Sequence, residues 1–107
     1  MTAEMSAADA YVELKVQPRR LNIDPSSRTF VLLRASSEDG FTSWHQLTNF
    51  ILADGNSFVY KDYYITQGFT YTYALQEINS NGIRSKRVKA RPVIADFEDM
   101  YLSDGER

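Results

Sequence analysis

The stretch Phe69-Thr-Tyr-Thr-Tyr-Ala-Leu-Gln-Glu77 decides the reading of this chain. Phe69, Tyr71, Tyr73 and Leu75 fall on one side of an extended backbone, and Thr70, Thr72, Ala74 and Gln76 on the other. Side chains alternate with period two along a strand, so this pattern belongs to a sheet with one dry face and one wet face. Asn79-Ser80-Asn81-Gly82 follows, and Asn-Gly is a strong hairpin signal. The spacing predicts a return strand over 83–93, with Val88, Ala90 and Ile83 as its apolar side.

Working upstream, Thr29–Ala35 (TFVLLRA) holds four successive apolar residues, Phe30 to Leu33. A run this short, bounded by turns, predicts a central strand covered on both faces. Tyr11–Gln17 (YVELKVQ) alternates Val12, Leu14 and Val16 with Glu13 and Lys15 and predicts a half-buried strand, which Pro18 ends. Leu21 and Ile23 are expected to pack back onto the sheet ahead of the turn Asp24-Pro25-Ser26-Ser27. Two more strands are expected over 44–52 and 57–61, separated by the turns at Asp39-Gly40 and Asp54-Gly55-Asn56. The whole predicts an all-β fold of six to seven strands, an antiparallel sandwich or barrel. Residues 1–10, rich in Ala, Ser and Thr, read as a helical or flexible leader.

Composition agrees. The chain has 107 residues, room for one domain, with 43 % hydrophobic, 24 % charged and 13 % aromatic residues. Aromatics favour strands. There is no cysteine, which excludes disulfides and thiolate metal sites. No apolar run reaches membrane-spanning length, so membrane insertion is not expected. The start lacks the basic-then-apolar pattern of a secretion signal. Net charge is −2, unevenly spread: residues 1–95 carry +2 and residues 96–107 carry −4. There is no internal repeat and no low-complexity tract.

Catalytic signals are weak. His45 is the one histidine, so a three-histidine zinc site is excluded, and its neighbours Trp44 and Gln46 point to a strand surface. Phosphate-binding loops, nucleophile elbows and cysteine signatures do not occur. Asp96, Glu98, Asp99, Asp104 and Glu106 cluster, yet Asp104-Gly105-Glu106 lacks the spaced ligands of a calcium loop. They read as a solvated acidic connector over 94–107, in which Phe97, Met100, Tyr101 and Leu102 are candidate docking groups for a following domain or a neighbouring chain. We expect no enzyme activity, no cofactor and no metal.

Arg84, Lys86, Arg87, Lys89 and Arg91 crowd the return strand, with Arg87, Lys89 and Arg91 on one face. Cations on an edge strand commonly block edge-to-edge pairing, and an acidic partner is the alternative use. A nucleic-acid partner is not expected at this net charge and without a recognition motif. Phe41, Trp44, Tyr60, Tyr63 and Tyr64 are candidates for an exposed aromatic platform on which a glycan would stack, against the simpler reading that most of these rings are core.

Two resemblances add to this. The segment 62–85, DYYITQGFTYTYALQEINSNGIRS, resembles a fibronectin type III domain, and the likeness extends over residues 11–93, which implies an antiparallel two-sheet sandwich of six to seven strands, fibronectin type III- or immunoglobulin-like. Ile65, Gly68 and Tyr71 match that family's approach to its penultimate strand, which implies that Tyr71 is its tyrosine corner. Asn79, Gly82 and Ser85 match its last hairpin, and Phe30, Leu32 and Arg34 its middle strands; the tryptophan often found early in the family is missing. The segment Ile94–Arg107, IADFEDMYLSDGER, is similar to one in tail-associated structural proteins of phages that infect Gram-positive bacteria, where it continues into a further β-rich region. This second resemblance implies a virion tail or baseplate component, assembled in the host cytoplasm and partnered by other virion proteins or copies of itself, and a chain that is one piece of a longer protein. The glycan platform implies the alternative, a module that binds a host cell-surface carbohydrate.

Overall fold

A computed structural model describes residues 1–17, 28–52 and 57–97. Among these residues eight strands follow in chain order: β1 (Thr2–Ser6), β2 (Tyr11–Val16), β3 (Arg28–Ser36), β4 (His45–Leu52), β5 (Phe58–Asp62), β6 (Thr70–Ile78), β7 (Val88–Lys89) and β8 (Val93–Ile94). They form two antiparallel sheets, one ordered β1-β2-β5 and the other β4-β3-β6-β7, with β8 beside β7 along the same flank of β6. The fold is the expected all-β sandwich.

The core lies between the sheets. Val12, Leu14 and Val16 of β2 face Phe30 and Leu32 of β3 and Tyr71, Tyr73 and Leu75 of β6. Phe50 of β4 stacks on Phe58 of β5 with ring centroids 3.9 Å apart, joining the two sheets at one end. The apolar run of β3 is buried on both sides. Phe30 and Leu32 point into the core, while Val31, Leu33 and Ala35 are buried on the outer face of the sheet. Residues opposite one another in a ladder share a face. Leu33 therefore sits between Gln46 and Ala74, and Val31 between Asn49 and Gln76.

Three expectations are corrected. Residues 1–10 are not a helical or flexible leader in this fold: Thr2–Ser6 pairs along its whole length with β2, Met5 opposite Val12 and Ala3 opposite Leu14. With this strand the count among the described residues is eight, above the expected six to seven. The predicted return strand over 83–93 is broken into a bridge at Arg84, then β7, then β8. Ser85 interrupts the ladder by receiving the Glu77 N–H on its hydroxyl at 3.0 Å, and Pro92 has no N–H to give. Ala90 is buried as expected, but Val88 and Ile83 are exposed. The expected turn at 54–56 and the packing of Leu21 and Ile23 fall outside the described residues.

Candidate interaction surfaces

The two sheets are tied at one end by a polar knot. Arg34 lies opposite Tyr73 in the ladder, in phase with Phe30 and Leu32, so its side chain points between the sheets. Asp62 lies opposite Val12 and points inward from the other sheet. It is fully buried. Arg34 Nη1 donates to Asp62 Oδ2 at 2.8 Å and to Oδ1 at 3.1 Å. The Tyr73 hydroxyl donates to Oδ2 at 2.8 Å, and the Tyr64 N–H to Oδ1 at 3.1 Å. A buried carboxylate is tolerable only when paired and hydrogen-bonded in this way. Burial pushes the Tyr73 hydroxyl well above its ordinary value, and the Asp62 charge beside it adds to the shift, opposed by Arg34. Both carboxylate oxygens of Asp62 are thus engaged, and the bonds from Arg34 and Tyr73 tie the two sheets together.

Beside the knot, β5 crosses to β6 through a corner. Tyr71 is buried, and its hydroxyl receives the Thr66 N–H at 2.7 Å. Ile65 packs against the core beneath it. Gly68 has φ of +93°, a conformation that a side chain strains, and its N–H donates to Ala95 O at 2.8 Å. The same corner therefore grips the chain as it leaves the sandwich. Ala95 N–H donates to Phe69 O at 2.9 Å. Phe97 N–H donates to Gln67 Oε1 at 3.0 Å, while Gln67 Nε2 donates to Asp96 Oδ1 at 3.3 Å. The Phe97 side chain packs partly against this domain's own core. Met100, Tyr101 and Leu102 lie outside the described residues.

On the outer face of the larger sheet, the loop between β3 and β4 presents Phe41 and Trp44. A 3-10 turn, Ser37–Asp39, opens that loop, and Gly40 closes it in the left-handed region. Phe41 is left-handed as well, at φ +62°, which costs a bulky side chain roughly 1–2 kcal/mol. Trp44 is half-buried. Arg87 lies over its ring at 5.2 Å and Lys89 at 5.8 Å. Phe41, Trp44, Thr72, Lys89, Ala90 and Pro92 line a shallow groove of about 350 Å³. Arg91 is exposed nearby in sequence.

The glycan platform expected from Phe41, Trp44, Tyr63 and Tyr64 is not one surface. Tyr63 packs on Tyr11 with centroids 5.0 Å apart, on the outer side of the smaller sheet. Tyr64 is highly exposed and lines a separate cavity with Arg34 and His45. Tyr60 packs against the core. His45 is exposed on β4, and among the described residues no three potential ligands gather as a metal site.

The sequence reading missed Asp62, Tyr73 and Gln67 as structural groups. Phase would have found Asp62, because Phe58, Tyr60 and Asp62 alternate on one side of β5. The Gln67 clamp has no comparable signal, since it depends on where residues 96 and 97 return in space. No protein-family model matches this chain, and no similar curated protein was found.

Proposed function

We propose that this chain is a non-catalytic structural and protein-interaction domain of a phage tail or baseplate, built on a fibronectin type III-like sandwich. The observation that carries the reading is the clamp on residues 95–97. Four hydrogen bonds from the corner fix the direction in which the chain leaves the sandwich. A module that spaces its neighbours needs a fixed exit, because a flexible one loses effective concentration between linked sites. The tail-protein likeness of Ile94–Arg107 supplies the virion context, with assembly in the host cytoplasm and other virion proteins as partners. The Tyr71 hydroxyl bond and the two facing antiparallel sheets, of three and five strands, support the fibronectin type III likeness.

The test is solution mass by light scattering, on this chain and on a version extended past Arg107. Assembly of the extended form supports the reading. A monomer in both forms argues against it, and attention then passes to a carbohydrate-binding function. The Phe41–Trp44 groove is the part of the aromatic set that still favours that second reading. A glycan screen comparing the chain with Trp44→Ala tests it.

A further inference from the structure

Residues 84–91 carry five exposed cations, Arg84, Lys86, Arg87, Lys89 and Arg91. Among the described residues, no carboxylate is ion-paired to Arg87, Lys89 or Arg91. Two of them instead lie over Trp44, beside a groove with an apolar rim of Phe41 and Pro92. Phe41 is 41 % exposed and held in a left-handed backbone by its N–H bond to Ser36 O at 2.9 Å. Strained backbone clusters at ligand clamps and switch regions, so a left-handed Phe41 at the rim of a groove motivates a binding hypothesis. The ligand chemistry that fits is anionic and apolar together: carboxylates for the cations, and a ring or aliphatic chain for the groove.

The sequence contains one segment of that composition. Residues 98–107, EDMYLSDGER, set Met100, Tyr101 and Leu102 between two acidic pairs. The topology argues that this segment reaches the groove of another copy. In β8, Val93 lies opposite Tyr71 and Ile94 opposite Thr70, and Ala95 then bonds to Phe69. The chain is therefore moving away from Thr72 and Lys89, which line the groove, when it passes Phe97. That heading points away from the chain's own groove, which favours the groove of another copy as the place for a segment of this composition.

We propose that the Phe41–Trp44 groove and the cations beside it bind the acidic segment Glu98–Arg107 of a second copy of this chain. This deepens the interaction reading above and names its partner. Its failure leaves the extension experiment free to succeed.

The test uses the full chain in two charge-reversed forms, Arg87→Glu with Lys89→Glu, and Glu98→Lys with Asp99→Lys. All four positions are read by sedimentation across protein concentration and salt, with Trp44 emission as the groove's own signal, since it is the one tryptophan. The unaltered chain should gain mass with concentration at low salt and lose it at high salt. Each reversed form alone should associate about tenfold more weakly. An equimolar mixture should regain association, because each then offers the other an opposite charge at both sites. Circular dichroism establishes that both forms are folded. A monomer at every concentration with constant Trp44 emission overturns the proposal. So does association that ignores both reversals. A concentration-independent change in Trp44 emission on reversing Glu98 and Asp99 would place the segment in its own groove and overturn it too.

Discussion

The Tyr73 hydroxyl, on the central part of β6, donates to Asp62 Oδ2 of β5 in the facing sheet at 2.8 Å. This bond crosses the sandwich, and Arg34 approaches the same oxygen from β3 at the same distance. Two strands of one sheet thus converge on one carboxylate of the other. Among the described residues no backbone hydrogen bond joins the two sheets, so the knot is a directional tie between them beside the apolar packing.

Asp62→Ala should destabilise the fold by about 3 kcal/mol, read from the urea midpoint. The change strands the Arg34 charge and the Tyr73 hydroxyl. Arg34 remains 18 % exposed, so water softens the loss. The triple change Arg34→Met, Asp62→Leu and Tyr73→Phe should lie closer to the original stability, because it removes the whole polar group at once. An Asp62→Ala loss under about 1 kcal/mol would show that packing alone holds the sheets in place.

The same knot sets an alkaline limit. The folded state raises the Tyr73 pKa from its ordinary 10.0, first by burial and then by the Asp62 charge. The proton is held more tightly in the folded state, so this contribution to stability is complete below pH 10 and declines as pH rises above it. The decline has a limiting slope of about 1.4 kcal/mol per pH unit for one proton. Unfolding free energy measured between pH 9 and pH 11 should therefore fall more steeply in the original chain than in Tyr73→Phe. Parallel curves would remove Tyr73 as the cause.

Strand β6 was legible because one alternating pattern specified both its conformation and its buried face. The apolar run of β3 likewise announced a strand covered twice. Strand β1 was not, because its phase is carried only by Ala3 and Met5, alternating with Thr2 and Glu4, too short and too weakly apolar a pattern to stand out. Its conformation comes from pairing with β2, a tertiary effect. The basic strip was legible as charge, but its placement over Trp44 was not, since residues 44, 87 and 89 meet through the pairing of β3 with β6 and of β6 with β7. The aromatic platform failed for the opposite reason. Neighbours in sequence such as Tyr63 and Tyr64 diverge, one onto Tyr11 and the other toward Arg34.

The turn between β1 and β2 stores strain that a substitution can release. Ala10 has φ of +59°, and its N–H donates to Ser6 O at 2.9 Å. The left-handed region costs a residue with a Cβ about 1 kcal/mol, which glycine avoids. Ala10→Gly should then raise stability by about 0.5 kcal/mol, after glycine's greater freedom in the unfolded chain is subtracted. Thermal unfolding of the two forms decides it, and a lower midpoint in Ala10→Gly would mean that the turn carries no such strain.

Tyr71→Phe separates the corner's two roles. The ring stays in the core, while the hydroxyl that receives the Thr66 N–H at 2.7 Å is lost. Thr66 is exposed, so water can replace the lost partner, and the cost should be about 1 kcal/mol. The larger effect is expected on the exit of the chain. Residues 66–69 supply the groups that hold residues 95–97, through the Gly68, Phe69 and Gln67 bonds. Loosening their loop should raise amide exchange at Gly68, Ala95 and Phe97 more than at Leu32 or Leu75 in the core. Uniform acceleration across the domain would mean that the mutation acts only through global stability. A selective increase at the exit would show that the Tyr71 hydroxyl sets the direction in which the following segment departs. A variant of that kind, still folded but loosely tethered, is the one in which an extended chain should assemble less well.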